Sequence, residues 1–257
     1  MKKTCYSRQL PLLALTFAIS LVPTALNAQE SLFDLKKLES FGTKKYKMIW
    51  EDSSSGSLVE HERGTMTFTT VKNNDSIVLK NVTRLNLPDG KRFIEYQGDC
   101  VFSIKDEKIE FRNLKYQAIR SDKVVLYAVV AEISDGKMIQ KTVRGEKEMT
   151  EEQRWTPGSY PDLAVFFLIP QLPKKNGQVV KIESVFRVPS SPDAQATARS
   201  ITCMGIDKDM KFNGQPSTKF VNLANGEKSG INYWFDGEGQ LRRIALNPEN
   251  RLDLIVD

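Results

Sequence analysis

The chain has one histidine, and it sits between two carboxylates as Glu60-His61-Glu62. Imidazole beside carboxylate is the raw material of a general base or a zinc site. A hydrolytic triad, however, needs a nucleophile and an orienting acid converging on the histidine, and a zinc site needs three or four ligands. In the strand-like run LVEHERGTMTF, alternation sends both glutamates to the face opposite His61. The histidine is therefore expected as an exposed strand residue, and no catalytic residue is assigned. Asp207-Lys208-Asp209 and Asp236-Gly237-Glu238 have the acidity of calcium loops but lack the continuing series of spaced oxygen ligands, so they are expected as turns. The sequence has no GxSxG, HExxH, CxxC, P-loop or dinucleotide-type glycine pattern. The expectation is a protein that is not an enzyme and that needs neither cofactor nor metal.

If chemistry is not the task, the elements must say what is. Residues 1–28, MKKTCYSRQLPLLALTFAISLVPTALNA, have the make-up of a signal peptide: basic Lys2, Lys3 and Arg8, an apolar run from Leu10 to Leu21, and Ala28 at the cut. Pro11 and Pro23 bracket a run shorter than the roughly 20 apolar residues of a spanning helix. Cleavage is thus expected over anchorage, with no membrane span afterwards. Gln29 follows the cut where a lipoprotein would carry cysteine, so the expected location is the periplasm or the extracellular space, in soluble form. The leader holds three of the 37 Lys and Arg residues and none of the 32 Asp and Glu. The remainder is near neutral, about +2, and its basic residues do not cluster with aromatics, so nucleic acid is not an expected partner.

Beyond residue 28 the expectation is one β-rich half-barrel domain, 29–257. Met66 and Phe68 alternate with threonines, Ile77 and Leu79 with polar residues, and Ile109 and Phe111 with charges. Each run reads as a strand with one buried face. Asn74-Asp75, Asp89-Gly90, Asp135-Gly136, Asn213-Gly214 and Asn225-Gly226 supply hairpin turns between such runs. Short connections of this kind join antiparallel neighbours, so the fold class is mainly β: a single antiparallel curved sheet laid down as a meander. Val124 to Ile133, VVLYAVVAEI, is apolar on both faces and is expected as a central strand. Cys100 and Cys203 lie in strand-like contexts. An oxidising compartment permits one bridge between them, closing a loop of roughly 100 residues worth about 4.7 kcal/mol by chain entropy. Two separate buried thiols are the alternative, and both stay open.

Two segments leave the β pattern. Ser31-Leu32-Phe33-Asp34 resembles a capping box, with Leu35 and Leu38 continuing an apolar stripe that stops near Gly42. Pro161 to Ile169, after the polar stretch KTVRGEKEMTEEQRWTPGSY, reads as an apolar helix started by Pro161 and halted by Pro170. These short helices are expected to cover the concave face of the sheet. The apolar one either plugs the core or lids a cavity, with Trp155, Tyr160, Phe166 and Phe167 as the candidate ligand-binding wall.

The leader, the opening strand Tyr46-Lys47-Met48-Ile49-Trp50, the apolar helix after mid-chain and the closing hairpin YWFDGEGQLRR together resemble the lipoprotein-carrier-like (LolA/LolB-like) superfamily of secreted bacterial proteins. That resemblance implies an incomplete β-barrel with helices across its open side. It also implies a carrier whose ligand is a lipid or lipoprotein acyl chain, with a cell-envelope protein as partner. The alternative is a structural or protein-interaction domain with a self-filled core, and an envelope hydrolase ranks last.

Overall fold

Alternating apolar runs and positive-φ turns organise the chain as the sequence leads one to expect. In the computed structural model, residues 33–52, 58–105, 108–156, 158–186, 197–224, 230–247 and 249–255 are described. The expected leader 1–28, the start of the capping box at Ser31-Leu32, and the Asn225-Gly226 turn lie outside them. One meander holds β1 (Thr43–Asp52), β2 (Val59–Lys72), β3 (Ser76–Asn86), β4 (Phe93–Lys105), β5 (Lys108–Arg120), β6 (Val125–Ser134), β7 (Lys137–Arg144) and β8 (Lys147–Arg154). A second holds β9 (Tyr160–Pro161), β10 (Val179–Phe186), β11 (Thr197–Phe212), β12 (Gln215–Ala224), β13 (Ile231–Phe235), β14 (Leu241–Ala245) and β15 (Asn250–Leu254). Neighbours pair antiparallel, except that β9 lies parallel to β10. Asp135 with Gly136, and Asn213 with Gly214, take positive φ at both central turn residues, as tight hairpins require.

The meanders meet where β1 pairs with β15, giving one sheet in the order β8 to β1, then β15 down to β9. Laid flat, fifteen strands would span about 67 Å at roughly 4.8 Å each. Yet residues 155–159 connect the two outermost strands, and such a link reaches at most about 22 Å. The sheet must therefore curl until its edges face each other across a seam. It stays unclosed, because β8 and β9 do not pair.

Two short helices cover the concave side. In α1 (Leu35–Phe41) the Asp34 carboxylate caps the Lys37 N–H at 3.2 Å, and Gly42 at φ 62° ends the helix. α2 (Asp162–Leu168) follows Pro161 and runs on into a 3-10 turn, Ile169–Gln171, so Pro170 tightens the helix before ending it. Gln171 ties the two helices: its side-chain oxygen accepts from the Asp34 N–H at 2.8 Å and its carbonyl from Lys37 Nζ at 3.0 Å.

One expectation changes, and one left open is decided. VVLYAVVAEI is not central: β6 is third from the edge of the sheet, and Val125 and Val130 on it are 49 % and 39 % exposed. Its small convex-face side chains Ala128 and Val130 line a depression of about 260 Å³ instead of packing under another layer. The polar stretch from Lys141 onward forms the end of β7 and β8, turned at Gly145. Cys100 and Cys203 are free buried thiols, on β4 and β11, which are far apart in the order of the sheet.

Candidate functional site

Strand register sets the inner-face side chains in cross-strand rows. One row runs Phe68, Asn81, Gly98, Tyr116; the next, about 7 Å along the strands, runs Tyr46, Met66, Thr83, Tyr96; a third runs Met48, Gly64, Leu85, Ile94. α2 lies on the first row. Gly98 makes the room for it, since a Cβ there would stand 3.0 Å from Leu163 and 3.1 Å from the Tyr116 ring. Phe166 stacks on Phe68 at 5.2 Å, and Phe167 meets the same ring edge-on at 5.4 Å.

Beside the first turns of α2 the interior is open. A cavity of about 230 Å³ lies between Leu163 and Phe166 of the helix and Met66, Thr83, Tyr96 and Tyr116 of the sheet, with Asn81 and Asp162 adding polar groups. The third row opens into a larger cavity of about 380 Å³, where Met48, Leu85 and Ile94 meet Leu87, Pro88 and Leu246, and Arg63 and Arg251 supply charge. Both cavities thus have mixed apolar and polar linings, the larger one pleat further along the strands. Burial, then the neighbouring Tyr127, Tyr96 and Asp162, push the Tyr116 phenol up, so it remains a neutral hydrogen-bonding group in the floor.

The second meander buries polar side chains of its own. Arg199 on β11, Asn222 on β12 and Tyr233 on β13 are 8 %, 2 % and 0 % exposed. Arg199 Nε, Asn222 Oδ1 and the Tyr233 hydroxyl are buried with no hydrogen-bond partner. Burial pushes the Tyr233 phenol up, Asn222 and Arg199 oppose that, and Asp162 adds to it. The Phe166 ring, which lines the smaller cavity, stands 6.3 Å from that of Tyr233.

Of the four expected wall residues, Phe166 lines a cavity. Phe167 is fully buried against Phe68 and Phe41; Tyr160 packs edge-on against Phe33 at 5.2 Å; Trp155, half-buried, lies on Phe111 and Phe186. All four belong to one aromatic core, but three of them fill space. Sequence reasoning missed Asn81, Thr83, Tyr96 and Tyr116. The available signal was polar residues standing at core-face positions: Asn81 and Thr83 continue the alternation of Ile77 and Leu79.

The remaining chemical candidates are accounted for locally. His61 is exposed, its ring 5.9 Å from that of Trp50, and it lines neither cavity. Asp207 accepts from two backbone N–H groups and from Trp234 Nε1 at 2.9 Å. Among the described residues no group of three His, Cys, Asp or Glu is placed to hold a metal, and no helix is long and apolar enough to cross a membrane.

The sheet, its seam and its partly plugged interior define a mainly β, barrel-like protein. No family model and no curated protein matches the chain. Among solved structures it is similar to one described as a beta-barrel-like protein of domain of unknown function DUF1849 from Brucella abortus. The two share 16 % identity and a TM-score of 0.47, over 83 % of this chain and 95 % of that one.

Proposed function

We propose that this chain is an exported, non-catalytic binding protein that holds an apolar-bodied ligand inside its curved sheet. The observation that carries this reading is the uncovered stretch of inner face. α2 fills the row through Gly98 and Tyr116, but the rows through Met66 and Met48 are left lining cavities of about 230 and 380 Å³. The larger falls within the range of roughly 300 to 1,000 Å³ usual for small-molecule sites. The leader at 1–28, with Gln29 after the cut, supports delivery to the periplasm or beyond it. The pattern shared with lipoprotein-carrier-like (LolA/LolB-like) proteins favours a lipid or acyl chain as ligand and an envelope protein as the partner that gives or receives it. His61 standing outside both cavities argues for binding over hydrolysis.

A second reading has an observation of its own: Ala164, Val165, Phe167 and Leu168 of α2 are all buried, so much of the concave side is self-filled, as in a structural or interaction domain. Fluorescence of the neutral probe N-phenyl-1-naphthylamine separates the two. Enhancement on mixing with the purified protein, weakened by Phe166→Asp with the unfolding temperature kept, is the expected result. A folded protein that enhances neither this probe nor a fluorescent fatty acid belongs to the second reading.

A further inference from the structure

Two arginines line the larger cavity beside its apolar Met48, Leu85 and Ile94, and they are held differently. Arg251 is fully engaged, pairing with Glu51, Glu60 and Asp253. Arg63 is not: among the described residues its side chain has one partner, the Trp50 ring, whose centre is 4.5 Å from its guanidinium carbon. The carboxylates near it in sequence are committed elsewhere, Glu60 to Arg251 and Glu62 to Lys47. A guanidinium lying over an aromatic face is held by that face and keeps its in-plane N–H donors for another group. Arg63 is half-buried and lines the cavity, so a molecule inside can reach it.

Asn247 adds a second donor to the same lining. Its Oδ1 already accepts from the Glu249 N–H at 2.9 Å, the Asn250 N–H at 2.8 Å and Asn250 Nδ2 at 3.0 Å, which leaves its amide nitrogen as the group it can offer a ligand. We infer that the larger cavity takes an amphiphile with one anionic group, its apolar body against Met48, Leu85 and Ile94 and its head at Arg63. Charge limits the head to one. Around Arg251 three carboxylates, Glu51, Glu60 and Asp253, meet two guanidiniums, Arg243 and Arg251, an excess of one negative charge that Arg63 balances. A carboxylate fits the planar fork of Arg63, whereas a phosphate monoester would bring a second negative charge up to that cluster. The inference rests on the binding reading above and names its ligand class, a chain carboxylate.

Equilibrium dialysis of the purified protein with radiolabelled decanoate and 1-decanol at neutral pH, equal in chain and different in charge, is the test. The wild type should hold decanoate about tenfold more tightly, the worth of a charge-assisted pair. Arg63→Met should bring the two affinities within about twofold of each other, since no charge then answers the carboxylate. Should that variant fail to fold, Arg63→Gln serves with the same expectation. Arg144→Met is the control: Arg144 is exposed, lies over Tyr127 at 5.9 Å and lines neither cavity, so losing its charge should leave the preference intact. Equal affinity for acid and alcohol in the wild type, a preference that survives Arg63→Met, or one that Arg144→Met removes just as well, overturns the head-group assignment and leaves the binding reading standing. Uptake of neither compound overturns both.

Discussion

Asp236 shows how one side chain fixes a turn. Its Oδ1 accepts from the N–H groups of Glu238 at 3.1 Å and Gln240 at 2.8 Å, and its Oδ2 from Arg242 Nε at 2.6 Å. Burial works to raise its pKa, but the Gln240 N–H, the Arg242 guanidinium and the Glu238 N–H outweigh it and hold the carboxyl below its usual range. A folded-state pKa below the unfolded value of about 3.9 stabilises the protein at neutral pH, and that contribution is lost as pH falls through the folded value. Asp236→Asn should cost about 2 kcal/mol at pH 7 in urea unfolding. The difference from wild type should narrow below about pH 4; a difference independent of pH would mean shape, not charge, is at work. The Asp-Gly-Glu-Gly turn was legible in the sequence, whereas Arg242 closing back on it was not, because that bond depends on the bulge between Trp234 and Phe235. Cys100 and Cys203 carry the second test at this scale. Burial, aided by Asp162 and Asp99, pushes the Cys100 thiol well above its ordinary range, so it should resist maleimide in the native protein. Unfolding in urea without reductant should expose two reactive thiols beyond the leader, and finding none would restore the bridge.

Among the elements, α2 decides how much of the interior is protein and how much is cavity. Phe167 is fully enclosed, so Phe167→Ala should cost about 3 to 5 kcal/mol. Phe166 borders the cavity, so Phe166→Ala should cost less than half as much while enlarging the space beside Thr83 and Tyr96; calorimetry of the two variants makes the comparison. Equal losses would mean that Phe166 is packed as fully as its neighbour. The helix seat makes a sharper test, since Gly98→Val puts branched methyls against Leu163 and Tyr116. About 1 to 3 kcal/mol of destabilisation, with faster proteolysis near α2, is expected. The helix itself was readable because Pro161 and Pro170 bracket an apolar run. Its seat was not, because a glycine in GDCVFSI carries no trace of the distant side chain that needs its space. β8 was missed for a related reason: nearly all of its residues are exposed, so it has no apolar alternation to announce it.

For the molecule as a whole, the decisive contact joins the first described strand to the last. Tyr46 of β1 pairs with Leu254 of β15, closing a loop of about 200 residues, and among the described residues only this ladder connects the meanders within the sheet. Antiparallel hairpins were legible turn by turn, because each turn names its own neighbours. The β1–β15 pairing was not, since no local signal specifies a partner so far along the sequence, and without it the curl, the seam and the opposed cavity walls do not follow. Two things hold the junction. Leu252, fully buried, sits between Met48 and Ile244. Arg251 beside it, only 9 % exposed, pairs with Glu51 on β1, Glu60 on β2 and Asp253 on its own strand. Since Met48, Leu85 and Ile94 from one meander and Leu246 and Asn250 from the other line the larger cavity, the junction should govern both stability and site. Leu252→Ala should cost about 2 to 5 kcal/mol. If the sheet is one cooperative unit, native-state hydrogen exchange should speed by the same factor at Cys100 in β4 and at Phe220 in β12. Protection lost in β12 but kept in β4 would instead make the two meanders separately stable halves, and a site shared between their walls would then form only when they dock.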